Sequence, residues 1–149
     1  MTSFERQSKK LLYSKQVSIT NPRLIVLGLI IKEDRPLTIE QLLHLADGEL
    51  AQSTVYRVVN DLTTCGLIVG FTTPENTLVV ELKKSDSDHH HHIFCENCVR
   101  IIDIELDNKL EAALEKEVGK IEKQYSLSIR GHSLELLGLC GSCSVSDKE

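Results

Sequence analysis

Four of the five cysteines fall into two Cys-x-x-Cys pairs, Cys95 with Cys98 and Cys140 with Cys143, while Cys65 stands alone. Two such pairs can supply four thiolates, the donor set of a closed tetrahedral site that suits structural Zn2+. A redox pair is the poorer reading, because neither motif opens a helix after a strand. Three residues before Cys95 runs His89-His90-His91-His92. If that run is extended, alternate side chains leave opposite faces, so His90 and His92 point one way and His89 and His91 the other. One short segment then serves two separate metal sites. Oxygen donors are plentiful nearby (Glu81, Asp86, Asp88, Asp103, Glu111 and Glu115), and His132 is the only other histidine of this half. His44 lies among leucines and reads as a core or surface histidine; Cys65, beside Gly66, reads as a small buried hydrophobe.

The elements that must position these groups can be read from periodicity. Asn21-Pro22 is a helix start, Asn as cap and Pro at a tolerated first position. The apolar run from Leu24 to Ile31 continues it as far as the polar break KEDRP. Thr38 with Gln41 forms a capping box that opens a short helix ending near Asp47-Gly48. A third helix is expected from Gln52-Ser53 to Cys65, stopped by Gly66. Val55, Val58, Val59 and Leu62 make its apolar face, and Thr54, Tyr56, Arg57 and Asn60 stand on the other. LIVGF and TLVVEL then read as two strands around the turn TPEN. Three helices followed by a β-hairpin are a winged helix, whose third helix suits the major groove and whose wing flanks the backbone. KKSDSD is polar and aperiodic and reads as a linker. After it come a strand near Arg100–Glu105, a helix over 107–123 with Leu110, Ala113, Leu114, Val118 and Ile121 on one side, and two strands, Leu127–Arg130 and Ser133–Leu139. The predicted fold is α+β: a winged-helix DNA-binding domain over 1–83, a hinge at 84–88 and a metal-binding dimerisation domain over 89–149. The second domain has too little core to stand alone, so a dimer or a metal clip is expected.

Composition narrows the function. The chain of 149 residues is 41% hydrophobic, enough for a core, and no apolar run reaches membrane-spanning length. The charged N-terminus MTSFERQSKK is no signal peptide, and a cytoplasmic protein is expected. The net charge of −5 is unevenly spread. Residues 1–70 carry eight Lys/Arg against seven Asp/Glu, and residues 71–149 carry nine against fifteen. Within the first 23 residues, Arg6, Lys9, Lys10, Lys15 and Arg23 face a single acid, Glu5. Such a chain offers one half to phosphate and the other to cations. No GxSxG, phosphate-cradling glycine loop or HExxH is present, so an enzyme is not expected.

The run STVYR at 53–57, HHHHIFCENC at 89–98 and GHSLELLGLCGSC at 131–143 together resemble the ferric-uptake-regulator family of bacterial repressors, over nearly the whole chain. The resemblance implies that Cys95, Cys98, Cys140 and Cys143 hold structural Zn2+. It implies that Glu81, His90, His92 and Asp103 form a regulatory site between the domains, and that His89, His91, Glu115 and His132 form an additional one. Tyr56 and Arg57 match DNA-contacting positions, with Ser53 and Thr54 beside them and Arg23 near the backbone. Two departures stand out. Arg35-Pro36-Leu37-Thr38 lacks the domain-bridging His of iron- and peroxide-sensing members, and Thr77–Leu82 lacks the Cys of many zinc sensors. The regulatory ion is therefore expected to be Fe2+ or Zn2+, with Mn2+ compatible with the same N/O donors. The expected function is a homodimeric, metal-dependent repressor whose loaded form fits a palindromic operator in double-stranded DNA. The alternatives are a constitutive winged-helix protein with structural zinc only, a peroxide-sensing relative, and a small metallohydrolase.

Overall fold

In the computed structural model the Thr38 hydroxyl accepts from the Gln41 N–H at 3.1 Å, and the Gln41 side-chain carbonyl accepts from the Thr38 N–H at 2.9 Å. The sequence-predicted capping box therefore closes, and it opens one helix of the first of two compact units, Met1–Asp88 and His89–Glu149. The structure describes residues 1–84, 89–98 and 100–146. Of the hinge expected at 84–88, residues 85–88 lie outside them.

The first unit runs α1 (Ser3–Ser14), α2 (Asn21–Glu33), β1 (Leu37–Thr38), α3 (Ile39–Leu45), α4 (Gln52–Thr64), β2 (Ile68–Thr72) and β3 (Leu78–Leu82). The predictions did not include α1. It is capped by Thr2, whose hydroxyl accepts from the Glu5 N–H, and it buries Ser8 and Leu12. In α2 the cap is Thr20 rather than Asn21, and Pro22 sits in the first turn where its missing N–H has no partner to lose. α4 buries Val55, Val58, Val59 and Leu62, the face expected from its period, and ends at Gly66 in the left-handed region (φ +79°), where a Cβ would be strained. β2 and β3 pair antiparallel from Ile68↔Leu82 to Thr72↔Leu78 as the wing. The two-residue β1, too short to show a period, adds to the other edge of β3. Leu12, Val26, Leu27, Ile30, Leu42 and the buried face of α4 meet in one aliphatic core. That core fixes the orientation of the exposed side of α4.

The second unit holds β4 (His91–Cys95), β5 (Ile101–Ile104), α5 (Asn108–Tyr125), β6 (Glu135–Gly138) and α6 (Gly141–Ser146). β4 is the central strand, antiparallel to β5 and parallel to β6. Asp107 caps α5 by accepting from the Lys109 N–H, and Ser126 ends it in the left-handed region. Two strand expectations are corrected. Residues Leu127–Arg130 are not a strand, because their N–H groups turn back to α5: Leu127 N–H donates to the Glu122 carbonyl and Ile129 N–H to the Glu122 carboxylate. The strand expected over Ser133–Leu139 shortens to Glu135–Gly138, the stretch that β4 can pair, and the Leu134 N–H is already given to a histidine ring. α5 buries none of its residues, and Leu110, Ile121, Leu136 and Leu137 are all exposed in the single chain.

Candidate metal centres and the reader helix

The parallel register of β4 with β6 sets Cys95 opposite Gly138, two residues before Cys140. The Glu96 N–H donates to the Gly138 carbonyl at 2.7 Å, and the Cys140 N–H donates to Cys95 Sγ at 3.3 Å. Cys98 follows in the bend after β4, and Cys143 lies on α6. Contrary to the sequence expectation, the second motif does open a short helix after a strand, and it is the convergence of all four sulfurs that favours a metal site over a redox pair. All four sulfurs lie within 4.8 Å of one another, with Cys98 and Cys140 at 3.8 Å. A tetrahedron with Zn–S bonds of about 2.3 Å has edges of about 3.8 Å. The quartet fits one ion, and none of its members is in a disulfide. Its protons are unevenly held. The backbone N–H of Cys140, then that of Asn97, bring the Cys95 thiol down to about 6, and the neighbouring Cys140 thiol is the main reason Cys143 is pushed up to about 12. Cys140 is lowered, chiefly by the backbone N–H of Cys143; Cys98 is raised by its sulfur neighbours in spite of the Arg100 N–H. Four thiols crowded together cannot all ionise without a counter-charge, which is what a divalent cation supplies.

The histidine run divides by alternation as its extended conformation requires. His91 is the first residue of β4, and at 2% exposure it is enclosed in the protein. Its Nδ1 accepts the Leu134 N–H at 3.2 Å, which turns Nε2 toward Glu111 Oε1 at 2.7 Å. The other oxygen of Glu111 lies 3.1 Å from His132 Nε2 and 3.4 Å from His89 Nε2, and those two ring nitrogens are 3.0 Å apart. The three imidazoles and Glu111 place their ligand atoms within 4.8 Å of one another. Burial pushes the Glu111 carboxyl upward, but the hydrogen bond from His91 and the fields of His89, His91 and His132 outweigh it and hold the group below 4.5. Glu115, named in the expected ligand set, is not part of this cluster. It sits one helical turn further along α5 with its side chain exposed, whereas Glu111 in the first turn faces the strand.

On the other face of the strand, His92 Nε2 is 3.3 Å and His90 Nε2 3.9 Å from Asp103 Oδ1. Pairing of His92 with Asp103 across β4 and β5 explains the approach, because opposite residues of an antiparallel pair project to the same side. Glu81 belongs to the first unit, where it is buried on β3 opposite Val69. Asp86 and Asp88 lie outside the described residues. His44 is exposed on α3, and Cys65 is half-buried, its thiol donating to the Leu62 carbonyl at 3.3 Å.

The outer face of α4 presents Ser53, Tyr56, Arg57 and Asn60 to solvent with Thr54 half-buried among them. Arg57 makes no ion pair among the described residues. Arg23 differs: its guanidinium donates to Asp61 on α4 at 2.9 Å, to the Ser18 carbonyl at 2.8 Å and to the Ser18 hydroxyl. Sequence reasoning missed Asp61, which no periodicity marks as a partner of a residue 38 positions away. No described helix is long and apolar enough to cross a membrane.

Residues 14–137 match the profile of the ferric uptake regulator family. The ferric uptake regulation protein of Bordetella parapertussis is 30% identical over 128 residues, 83% of this chain and 87% of that one. The crystal structure of the Vibrio cholerae ferric uptake regulator matches with a TM-score of 0.69 at 26% identity, covering 89% of this chain and 98% of the other. A zinc uptake regulator complexed with zinc and DNA matches over 100% of both chains with a TM-score of 0.67; at 21% identity that likeness is one of fold. The three ligand clusters, the reader helix and these matches agree, and the chain belongs to the ferric uptake regulator family: a metal-binding, DNA-binding regulator of transcription and not an enzyme.

Proposed function

We propose that the chain is a cytoplasmic homodimeric repressor of metal-homeostasis genes, which grips a palindromic operator when a divalent ion loads its regulatory site. The observation that carries this reading is the division of one strand between two nitrogen–oxygen donor sets, His89/His91 and His90/His92, directly beside a thiolate quartet. The quartet takes structural Zn2+. His90, His92 and Asp103, with Glu81 from the wing, take the sensed ion. Because Glu81 lies in the reader unit and the other three in the dimerisation unit, an ion held by all four favours one arrangement of the reading heads. His89, His91, Glu111 and His132 take a further ion. Tyr56 and Arg57, with Ser53 and Thr54, meet the operator, and Arg23 lies near its backbone. The exposed leucines and isoleucine of the second unit support the dimer, since a second copy would remove them from water.

The sensed metal is Fe2+ or Zn2+, with Mn2+ accommodated by the same donors. The absence of a histidine over Arg35–Thr38 argues against peroxide sensing. The test is binding of a fluorescent duplex selected from promoter DNA, titrated with each ion and then with chelator. Metal-dependent binding that His90→Ala with His92→Ala abolishes supports the switch, and Arg57→Ala should remove operator affinity. Equal binding with and without chelator leaves a constitutive DNA-binding protein with structural zinc.

A further inference from the structure

We propose that the solvent face of α1, with Arg6 and Lys10, together with Lys15 just past its end, is the principal phosphate-binding surface of the reader unit and grips the backbone of duplex DNA beside the bases that α4 reads. This rests on the DNA-binding reading above and adds to it a surface that the reader helix does not contain.

The unit Met1–Asp88 holds ten Lys and Arg side chains. Four already face a carboxylate: Lys9 with Glu5 at 3.4 Å, Arg23 with Asp61 at 2.9 Å, Arg35 with Glu33 at 3.4 Å and Lys84 with Asp34 at 3.5 Å. Lys83 is also engaged. Among the described residues that leaves Arg6, Lys10, Lys15, Lys32 and Arg57 without an ion pair. α4 contributes one of these five. The wing contributes none: residues 66–82 contain no Lys or Arg, and the turn between its strands carries Glu75. Duplex binding at physiological salt is driven by neutralising phosphates, so a reader whose recognition helix has a single free cation and whose wing has none is best served by a second basic surface.

α1 has the geometry for that surface. It buries Ser8 and Leu12, and at 100° per residue Arg6, Lys10 and Tyr13 fall on the opposite side. All three are exposed, and the Tyr13 hydroxyl is available to donate to a phosphate oxygen. The helix is fixed to the reader and not a loose tail. Leu12 is part of the same core as Val55 and Leu62 of α4, and the Val17 N–H donates back to the Leu12 carbonyl, which holds Lys15 at the helix end. Lys9, one position from Lys10, points to the flank where Glu5 meets it, so the free charge of the helix itself, Arg6 and Lys10, lies on one stripe, and Lys15 adds a third cation just past the helix end.

The test uses the full-length, metal-loaded protein, a mixed-sequence 40-base-pair duplex and fluorescence anisotropy over a range of KCl. Replacing Arg6, Lys10 and Lys15 together by Gln keeps helix propensity and touches only exposed positions. Three lost phosphate contacts at about 0.9 each should flatten the log–log salt dependence by about 2.7 per reader unit. A promoter-selected duplex should lose the same factor, because phosphate contacts carry no sequence information. Replacing Lys109, Lys116 and Lys123 of α5 by Gln, a change of equal charge, should leave the slope unchanged, and helicity and melting temperature should match the parent. An unchanged slope in the α1 variant overturns the proposal, as does an equal flattening in the α5 control. Loss of binding to phosphatidylserine vesicles with duplex affinity intact would give the face to a membrane, and likewise overturns it. If Arg57→Ala abolishes selectivity while the α1 variant behaves as the parent, only this inference falls. If the parent binds no duplex at all, the DNA-binding reading fails first.

Discussion

Glu111→Gln is the substitution that most directly tests the second nitrogen–oxygen cluster, and Glu115→Gln is its internal control. Glu111 is the only carboxylate in that cluster, and its two oxygens divide among three rings: Oε1 at 2.7 Å from His91, Oε2 at 3.1 Å from His132 and 3.4 Å from His89. An amide keeps the shape and removes the charge, so a bound divalent ion loses its one anionic ligand there. Removing a partner that merely orients a ligand already lowers metal affinity by about 10–100-fold, so loss of the ligand charge itself should weaken this site by at least about 100-fold. Glu115 stands four residues on, about 6 Å along the helix axis, against metal–oxygen bonds of about 2.0–2.2 Å. Its amide should change affinity by no more than about twofold, the scale of an exposed charge. The assay is a competition titration with a chromophoric chelator on protein whose thiolate quartet already holds one equivalent of Zn2+. In the metal-free protein the same residue gives a pH signature. A carboxyl held below its ordinary value contributes stability above about pH 4.5 that is lost as pH falls through its lower folded-state value, and Glu111→Gln should remove that part of the acid-side dependence. Equal weakening by both substitutions, or full affinity in Glu111→Gln, would refute the geometric argument.

Three further outcomes are expected. The Arg23–Asp61 pair is 2.9 Å long with side chains 20% and 35% exposed, between a surface pair and a buried one, so a double-mutant cycle in urea should give a coupling of about 1 kcal/mol, and less than about 0.3 would remove the pair from the forces that hold α2 against α4. At pH 7 Cys95, with its thiol near 6, is already ionised while Cys143, near 12, is not; loading Zn2+ should therefore release about two to three protons, counted by calorimetry in buffers of different ionisation enthalpy, whereas release of about four would mean that Cys95 is an ordinary thiol. Leu137 is 55% exposed on β6 of the single chain, and Leu137→Glu should shift the protein from dimer to monomer in sedimentation; a dimer of unchanged strength would place the interface elsewhere.

Much of the reader unit was legible because its signals are local. Val58, Val59 and Leu62 follow Val55 on α4 at 3, 4 and 7, Thr38 and Gln41 satisfy each other within one turn, and Gly66 supplies a left-handed conformation that stops the helix. α1 escaped notice although its apolar face, ending in the buried Leu12, is as periodic as that of α4; its polar mean character and dense charge drew the reading toward the phosphate-facing surface instead. β1 escaped because two residues cannot display an alternation. In the second unit the donor types were plain, but the choice between Glu111 and Glu115 was not. Both lie on one face of a helix at a spacing of four, and only the placement of the helix start by Asp107 determines which turn meets the strand. The strand expected at Leu127–Arg130 failed for a related reason: its alternation is real, but the Glu122 carbonyl and carboxylate take N–H groups that a ladder would need.

One strand with its flanks thus takes part in all three ligand clusters. Within residues 89–98, β4 and its flanks provide two ligands to each of the three clusters. Because side chains alternate with period two, a slip of one residue would exchange the His89/His91 and His90/His92 sets between faces and carry Cys95 away from Cys140. Antiparallel pairing with β5 is set by Ile93↔Ile102 and Phe94↔Ile101, and parallel pairing with β6 by Cys95↔Gly138. A metal in the thiolate quartet would pin the C-terminal end of β4 to the end of β6, and so defend the register on which both nitrogen–oxygen clusters depend. On the proposed assignment the structural and sensing sites would not be independent: an ion held by the quartet would secure the alternation that sets three nitrogens and a carboxylate on one side of the strand, and two nitrogens and a carboxylate on the other.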